Sequence, residues 1–299
     1  MGHRYLDLDA LGASIGIYEY AKSLNKKPIL IINDKKNEKG VARELDKIGN
    51  NYNIKRSNKI KSRINDKSLL IVVDTNKQVL LQSPELLEHF QNVLVIDHHE
   101  TSKETIKNAT LIIEEASSAC EMVTNLLELS KTKLDSETAT ILLSGIVLDT
   151  NNYTLKTTAD TFKASYFLAS FGASVNEVQG LLKQNLKDYS ERQKVITNAK
   201  TYKKIAISTA KSSIYYRRED LAKIADALLQ FNNIEATFVI GKLDRNTVGI
   251  SARSQGDLDA GEILSQLNGG GNKHEAGSRI ENKTIKEVEE ELKKLIKVS

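Results

Sequence analysis

The sequence holds one cysteine, two prolines and no tryptophan in 299 residues. The single thiol, Cys120, rules out an intramolecular disulfide and any multi-cysteine zinc site, and it fits a reducing compartment. It reads as a small buried hydrophobe. No run of ~20 apolar residues is present, so no stretch reads as a membrane span. A net charge of +4 is too mild for a protein that coats nucleic acid, which carries a strong basic stripe. At 40% hydrophobic and 27% charged residues the composition is that of an ordinary globular chain, and the length suits about two domains.

The first half alternates helical and strand patterns. Leu8, Leu11, Ile15 and Tyr18 recur at helical spacing. Four short apolar runs follow: PILIIN, SLLIVVDT, NVLVIDHH and ATLIIE. Such runs, with helices between them, indicate strands buried on both faces of a mostly parallel sheet. Ser118 and Glu121 make an S-x-x-E capping box for the next helix. TATILLSGIVLDTNN is apolar nearly all round and fits a buried helix or a strand equally well. Helical spacing continues to about Thr201. Beyond it, YKKIAIST reads as a strand, LAKIADALLQF as a helix, and IEATFVIGKLDRNTVGISARS as two strands joined at Asp244–Asn246. A T-x-x-E box at Thr284 and Glu287 opens the last helix.

The acids and histidines fall at telling places. Asp74 ends one apolar run; Asp97, His98 and His99 end another. Ligands of open α/β sheets gather outside the carboxyl ends of the strands, so these residues converge on one rim. His3, Asp7 and Asp9 precede the first helix and belong to the same rim, and Asp149 closes a further apolar segment. Four carboxylates and two imidazoles with no thiolate suit Mn²⁺ or Mg²⁺ better than structural zinc. Six ligands exceed one site's need, and one bridging carboxylate would divide them between two ions, the arrangement used for phosphoester cleavage. Taken singly, each residue has a blander use: Asp9 as a helix cap, Asp97 as the orienter of an imidazole. The clustered H-x3-D-x-D and the adjacent His-His favour the metal set.

In order, GHRYLDLDALGAS, VVDT, IDHH and SGIVLDT resemble the four motifs of the DHH phosphoesterase family. ISARS and NGGGNKHEAGS resemble the signature of the DHH-associated C-terminal domain. The resemblance spans essentially the whole chain. It implies an α/β fold: an N-terminal, mostly parallel sheet with flanking helices, a smaller C-terminal α/β domain, and a cleft between them. The expected division is a catalytic metal-binding domain over 1–185, a helical linker over 186–201 and a substrate-binding domain over 202–299. Carried over by position, one metal belongs to His3, Asp7 and Asp74, and a second to Asp9, Asp74, His98 and Asp149. His99 faces the substrate phosphate or tunes the ligands, and Asp97 supports catalysis beside it. Ser118, Arg253, Gly269, Gly270, Gly271 and His274 join His99 as substrate contacts. The implied cofactor is Mn²⁺, two ions per chain, with Mg²⁺ or Co²⁺ as substitutes. The implied chemistry is phosphoester hydrolysis by an activated hydroxide. GGGNKH departs from the family's usual GGGGH.

EEASSACEMVTNLL and GIVLDTNNYTLKTTADTFKASYFLASFGAS resemble the GdpP-type cyclic-di-AMP phosphodiesterases, whose product is pApA. The alternatives are an oligoribonuclease or 3′-phosphoadenosine 5′-phosphate phosphatase on the same scaffold, and a non-catalytic nucleotide sensor. The expected partner is a small nucleotide, a cyclic or short linear dinucleotide. No long nucleic acid and no membrane contact within this chain are expected, and a homodimer is left open. The expected setting is cytoplasmic, with a full-length protein anchored in the membrane. The ligands in MGHRYLDLDALG have no strand before them. A chain cut from within a longer protein is therefore expected, with loosely anchored first residues and a sheet lacking the strand that feeds His3.

Overall fold

The computed structural model describes all residues except 34–36, 38, 184, 298 and 299. The chain divides into two compact units, Met1–Lys183 and Gln184–Ser299.

The first unit runs α1 (Leu8–Ser23), β1 (Leu30–Ile31), α2 (Lys39–Ile48), β2 (Ile54–Lys55), β3 (Leu69–Val73), β4 (Asn92–Asp97), β5 (Thr110–Ile113), α3 (Ala119–Leu129), α4 (Ser136–Asp149), α5 (Ala159–Ser170) and α6 (Val175–Leu181). β3, β4 and β5 form a parallel sheet in that order, and β1 pairs in parallel with β2. The expected parallel arrangement is therefore present, although PILIIN yields only two ladder residues.

TATILLSGIVLDTNN resolves to a helix, α4. Asp135 caps its start by accepting from Thr138 N at 2.7 Å, and at 14 residues it outruns a buried strand. It is apolar all round because α1, α3, α5 and α6 surround it. The helices meet at small residues. A methyl on Gly145 of α4 would fall against Cys120 Sγ and lie 2.9 Å from Asp9 Cα.

The Ser118 box is half formed. The Ser118 hydroxyl accepts from Glu121 N at 3.0 Å, but the Glu121 carboxylate turns to Ser117, whose hydroxyl and amide it accepts from. The T-x-x-E box at Thr284 and Glu287 closes in both directions.

The first residues are firmly held, contrary to expectation. Met1 N donates to Ile71 O at 2.8 Å and Val73 N donates to Met1 O at 3.1 Å, a short parallel ladder on β3. Arg4 N then donates to Leu80 O at 2.7 Å, and His3 bridges Leu81. These bonds fix His3 beside the end of β3.

The second unit holds α7 (Leu186–Thr197), β6 (Lys200–Tyr202), β7 (Ile205–Thr209), α8 (Arg218–Leu229), β8 (Ala236–Lys242), β9 (Thr247–Ser254), α9 (Ala260–Ser265), β10 (Gly269–Gly271), β11 (Glu275–Glu281) and α10 (Ile285–Leu295). Its six-stranded sheet has the order β10-β11-β9-β8-β7-β6, antiparallel except for β7–β8. YKKIAIST spans a hairpin: Tyr202 ends the first arm, the chain turns at Lys203 with φ 53°, and Ile205–Thr209 is the second arm. The β8–β9 turn falls at Asp244–Asn246 as expected, where Asp244 accepts from Asn246 N and Thr247 N at 2.9 Å. α7 packs within this unit through Val195. Among the described residues no helix is long and apolar enough to cross a membrane.

Gly145→Ala tests the helix contact. Helix propensity alone would stabilise the variant by about 1 kcal/mol, but overpacking costs about 1–3 kcal/mol. The steric effect wins, so a urea titration should show a lower midpoint. An unchanged or raised midpoint would mean the helices part without penalty.

Candidate metal centre

The parallel strands bring the predicted ligands to one rim. Asp74 follows β3 and takes φ 58°, a left-handed conformation that Asp tolerates better than most residues. That turn keeps its carboxylate buried at 4% exposure. Its amide still donates to Ile96 O at 3.0 Å, the last bond of the β3–β4 ladder, two residues before His98.

The two oxygens of Asp74 serve different neighbours. Oδ2 lies 3.3 Å from His3 Nε2, which is also 3.4 Å from Asp7 Oδ2. Oδ1 lies 3.4 Å from His98 Nε2, which is 3.4 Å from Asp149 Oδ2 and 3.9 Å from Asp9 Oδ2. Adjacent ligands of an octahedral ion bound at about 2.1 Å stand about 3 Å apart, so these spacings resemble two coordination shells sharing one carboxylate. His3, Asp7 and Asp74 form one possible ligand group by proximity, and Asp9, His98 and Asp149 another. Asp74 Oδ1 and His98 Nε2 are buried with no hydrogen-bond partner. Such orphans call for a missing partner, and divalent cations fit the donor set.

Asp9 is not in front of α1, as expected, but inside its first turn; Asp7 is the cap, accepting from Ala10 N at 2.9 Å. Asp9 instead caps α3, accepting from Ala119 N and Cys120 N at 2.8 Å each. Asp97 is fully buried and accepts from the amides of His98 and His99 and from His99 Nδ1 at 2.8 Å. It therefore orients His99, which keeps its ring half exposed.

Without cations the cluster holds protons. Burial would lower the His3 imidazole, but Asp7 and Asp74 push it up to about 11. The same balance, with Asp74 foremost, raises His98 to about 10. Burial and the Asp74 carboxylate raise Asp9 to about 7, and burial with Asp9 and Asp74 raises Asp149 well above the usual carboxylate range. Burial alone would also raise Asp74, but the His3 and His98 imidazoles beside its two oxygens hold it well below.

Ser118, predicted to touch substrate, is fully buried and its hydroxyl is used as the α3 cap, which leaves it no face for a ligand. The remaining predicted contacts lie in the second unit. Arg253 donates from Nε to Asp226 Oδ1 at 2.5 Å and from Nη1 to Ala252 O at 3.0 Å. Gly269–Gly271 is strand β10, paired with β11. Gly271 has φ 150°, and a side chain there would run into Ala276 Cβ at 2.9 Å. A side chain on Gly270 would meet open space. His274 Nδ1 lies 3.0 Å from Ser254 O. Sequence reasoning missed Asn76, whose buried amide holds the segment after His98, because a polar residue after a strand reads only as a turn.

The description "DHH family, N-terminal domain" matches residues 1–146, and "DHHA1 domain" matches residues 203–298. The chain belongs to the DHH family. It is 37% identical over 305 residues to a protein named cyclic-di-AMP phosphodiesterase GdpP from Geobacillus thermodenitrificans, covering 99% of this chain and 46% of that one. It is 34% identical over 301 residues to cyclic-di-AMP phosphodiesterase PdeA from Listeria monocytogenes, covering 98% of this chain and 46% of that one. The DHH chain thus spans a little under half the length of these relatives. The structure of an exopolyphosphatase-related protein from Bacteroides fragilis superposes with a TM-score of 0.77 at 19% identity, over 98% of this chain and 90% of that one, which shows the shared fold.

Because bound metal needs neutral imidazoles and ionised carboxylates, uptake by this DHH centre must expel protons. Calorimetric titration with Mn²⁺ in buffers of different ionisation enthalpy should report proton release, with affinity tightening from about pH 6 to about pH 8. Affinity flat across that window would contradict the ligand set.

Proposed function

We propose that the chain is a manganese-dependent phosphodiesterase that hydrolyses a cyclic dinucleotide, cyclic di-AMP, to the linear pApA. The observation that carries this reading is the buried Asp74 carboxylate, flanked by His3 on one oxygen and His98 on the other. In this reading His3, Asp7 and Asp74 hold one cation, and Asp9, Asp74, His98 and Asp149 hold the second. When bound, two such cations would supply an activated water and neutralise phosphate charge. The likeness to relatives named cyclic-di-AMP phosphodiesterases supports the substrate.

The protein's own groups do the positioning. Asp97 accepts from His99 Nδ1 and so fixes a half-exposed ring that could face a phosphate oxygen. Ala119 N and Cys120 N fix both oxygens of Asp9, which leaves its carboxylate one orientation toward His98. In the proposed division of labour, residues 1–185 carry the chemistry, 186–201 the connection and 202–299 the recognition. Arg253, Gly270 and His274 are the proposed nucleotide contacts. Gly270 is the glycine of the run that packing leaves free.

Asp74→Asn should cut turnover by at least ~100-fold, because one amide replaces a ligand to both ions. The substrate is tested by comparing hydrolysis of cyclic di-AMP, pApA, 3′-phosphoadenosine 5′-phosphate and short RNA, each with Mn²⁺. Conversion of cyclic di-AMP to pApA as the fastest reaction is expected. Cyclic di-AMP left intact while pApA is consumed would reject the substrate, and near-normal turnover by Asp74→Asn would reject the shared-ligand centre.

A further inference from the structure

Asn76 sits two residues after Asp74 and is 1% exposed. Its carboxamide is fully engaged. Nδ2 donates to His99 O at 2.9 Å and to Glu100 O at 3.4 Å, and Oδ1 accepts from Thr105 Oγ1 at 3.3 Å. Its carbonyl accepts from Ile106 N at 2.8 Å, and Lys77 bridges Thr105. The segment after β3 is thereby laced to the segment after β4. The β3–β4 ladder ends with Asp74 N on Ile96 O, and beyond it the chain leaves the sheet at His98 and His99. Past that point, no backbone pairing holds His98 or His99 to the Asp74 segment among the described residues. The Asn76 side chain takes its place.

From this we infer that Asn76 is a positioning residue of the metal centre. It fixes the peptide after His99, and so the adjacent His98 and His99 rings (4.3 Å apart), relative to the Asp74 carboxylate. Three features single out this residue. Its two N–H donors address two successive carbonyls, which a serine or threonine cannot do. It shares one short segment with Asp74, so a shift in either moves both. It is buried, so losing the amide leaves the His99 and Glu100 carbonyls without these donors. Outer partners of this kind tune metal affinity without touching the ion. A plain loop staple would affect only stability. The inference rests on the metal-centre reading and asks what keeps that centre in register.

The test is divalent-ion binding followed by calorimetry, with Mg²⁺ as well as Mn²⁺, on the full chain and two variants. Asn76→Asp keeps the shape but turns a carboxylate oxygen toward the two carbonyls. Thr105→Val loosens the same segment at its other end while sparing the bond to His99. Asn76→Asp should weaken the ion held by His98 by ~10–100-fold, and Thr105→Val should bind as the parent does. Equal weakening in both, or none in Asn76→Asp, would overturn the inference. A parent chain that binds no divalent ion would instead refute the metal-centre reading. Should Asn76→Asp not fold, the parent decides: its Asn76 carboxamide protons should resist exchange with solvent and shift in the NMR spectrum as Mg²⁺ is added. Fast exchange and no shift would overturn the inference equally.

Discussion

The structure turns on one buried carboxylate. Asp74 is withdrawn from water at the end of a parallel strand, with an imidazole against each oxygen. Burying an ion carries a penalty of several kcal/mol unless partners of opposite charge attend it. Here three further carboxylates, Asp7, Asp9 and Asp149, crowd the same space. Two imidazolium ions alone balance half of four negative charges. The chain alone meets the rest by holding Asp9 and Asp149 toward their neutral forms. Two divalent cations meet it without protons. That is the physical reason the cluster reads as a metal centre and not as an ion-pair network.

The scaffold is shaped to this end. The ladder of Met1 on β3 delivers His3, and the β3–β4 ladder delivers His98. Asp9 joins stability to function: its carboxylate satisfies the first amides of α3 while lying 3.9 Å from His98. Gly145 lets α4 come close enough to place Asp149 in the same cluster. Moving any of these elements shifts a member of the cluster, so packing and cluster geometry constrain each other.

Much of this was legible in the sequence. Apolar runs ending in Asp74 and in Asp97-His98-His99 announce strand ends, and strand ends in a parallel sheet share a rim. The candidate ligands could be grouped from these strand ends, and their side chains do lie together. What escaped was set by bonds between distant segments. Asp9 caps a helix 110 residues away, which no local pattern records. Ser118 is readable both as the cap of α3 and as a substrate contact, and its hydroxyl is taken by the cap. GGG has no side-chain pattern to announce a strand, yet it pairs as one, with Gly271 opposite Ala276. The segment TATILLSG was ambiguous by period because α4 is enclosed on every side. The firm hold on Met1 rests on main-chain bonds to Ile71 and Val73, which side-chain patterns do not encode.

The central claim is that Asp74 joins two ions. Anomalous diffraction from crystals soaked in Mn²⁺, recorded on both sides of the manganese edge, tests it most directly. The account predicts two peaks about 3.5–4 Å apart, one against His3 and Asp7, the other against His98, Asp9 and Asp149, with one Asp74 oxygen toward each. A single peak, or two peaks with Asp74 touching only one, would contradict it.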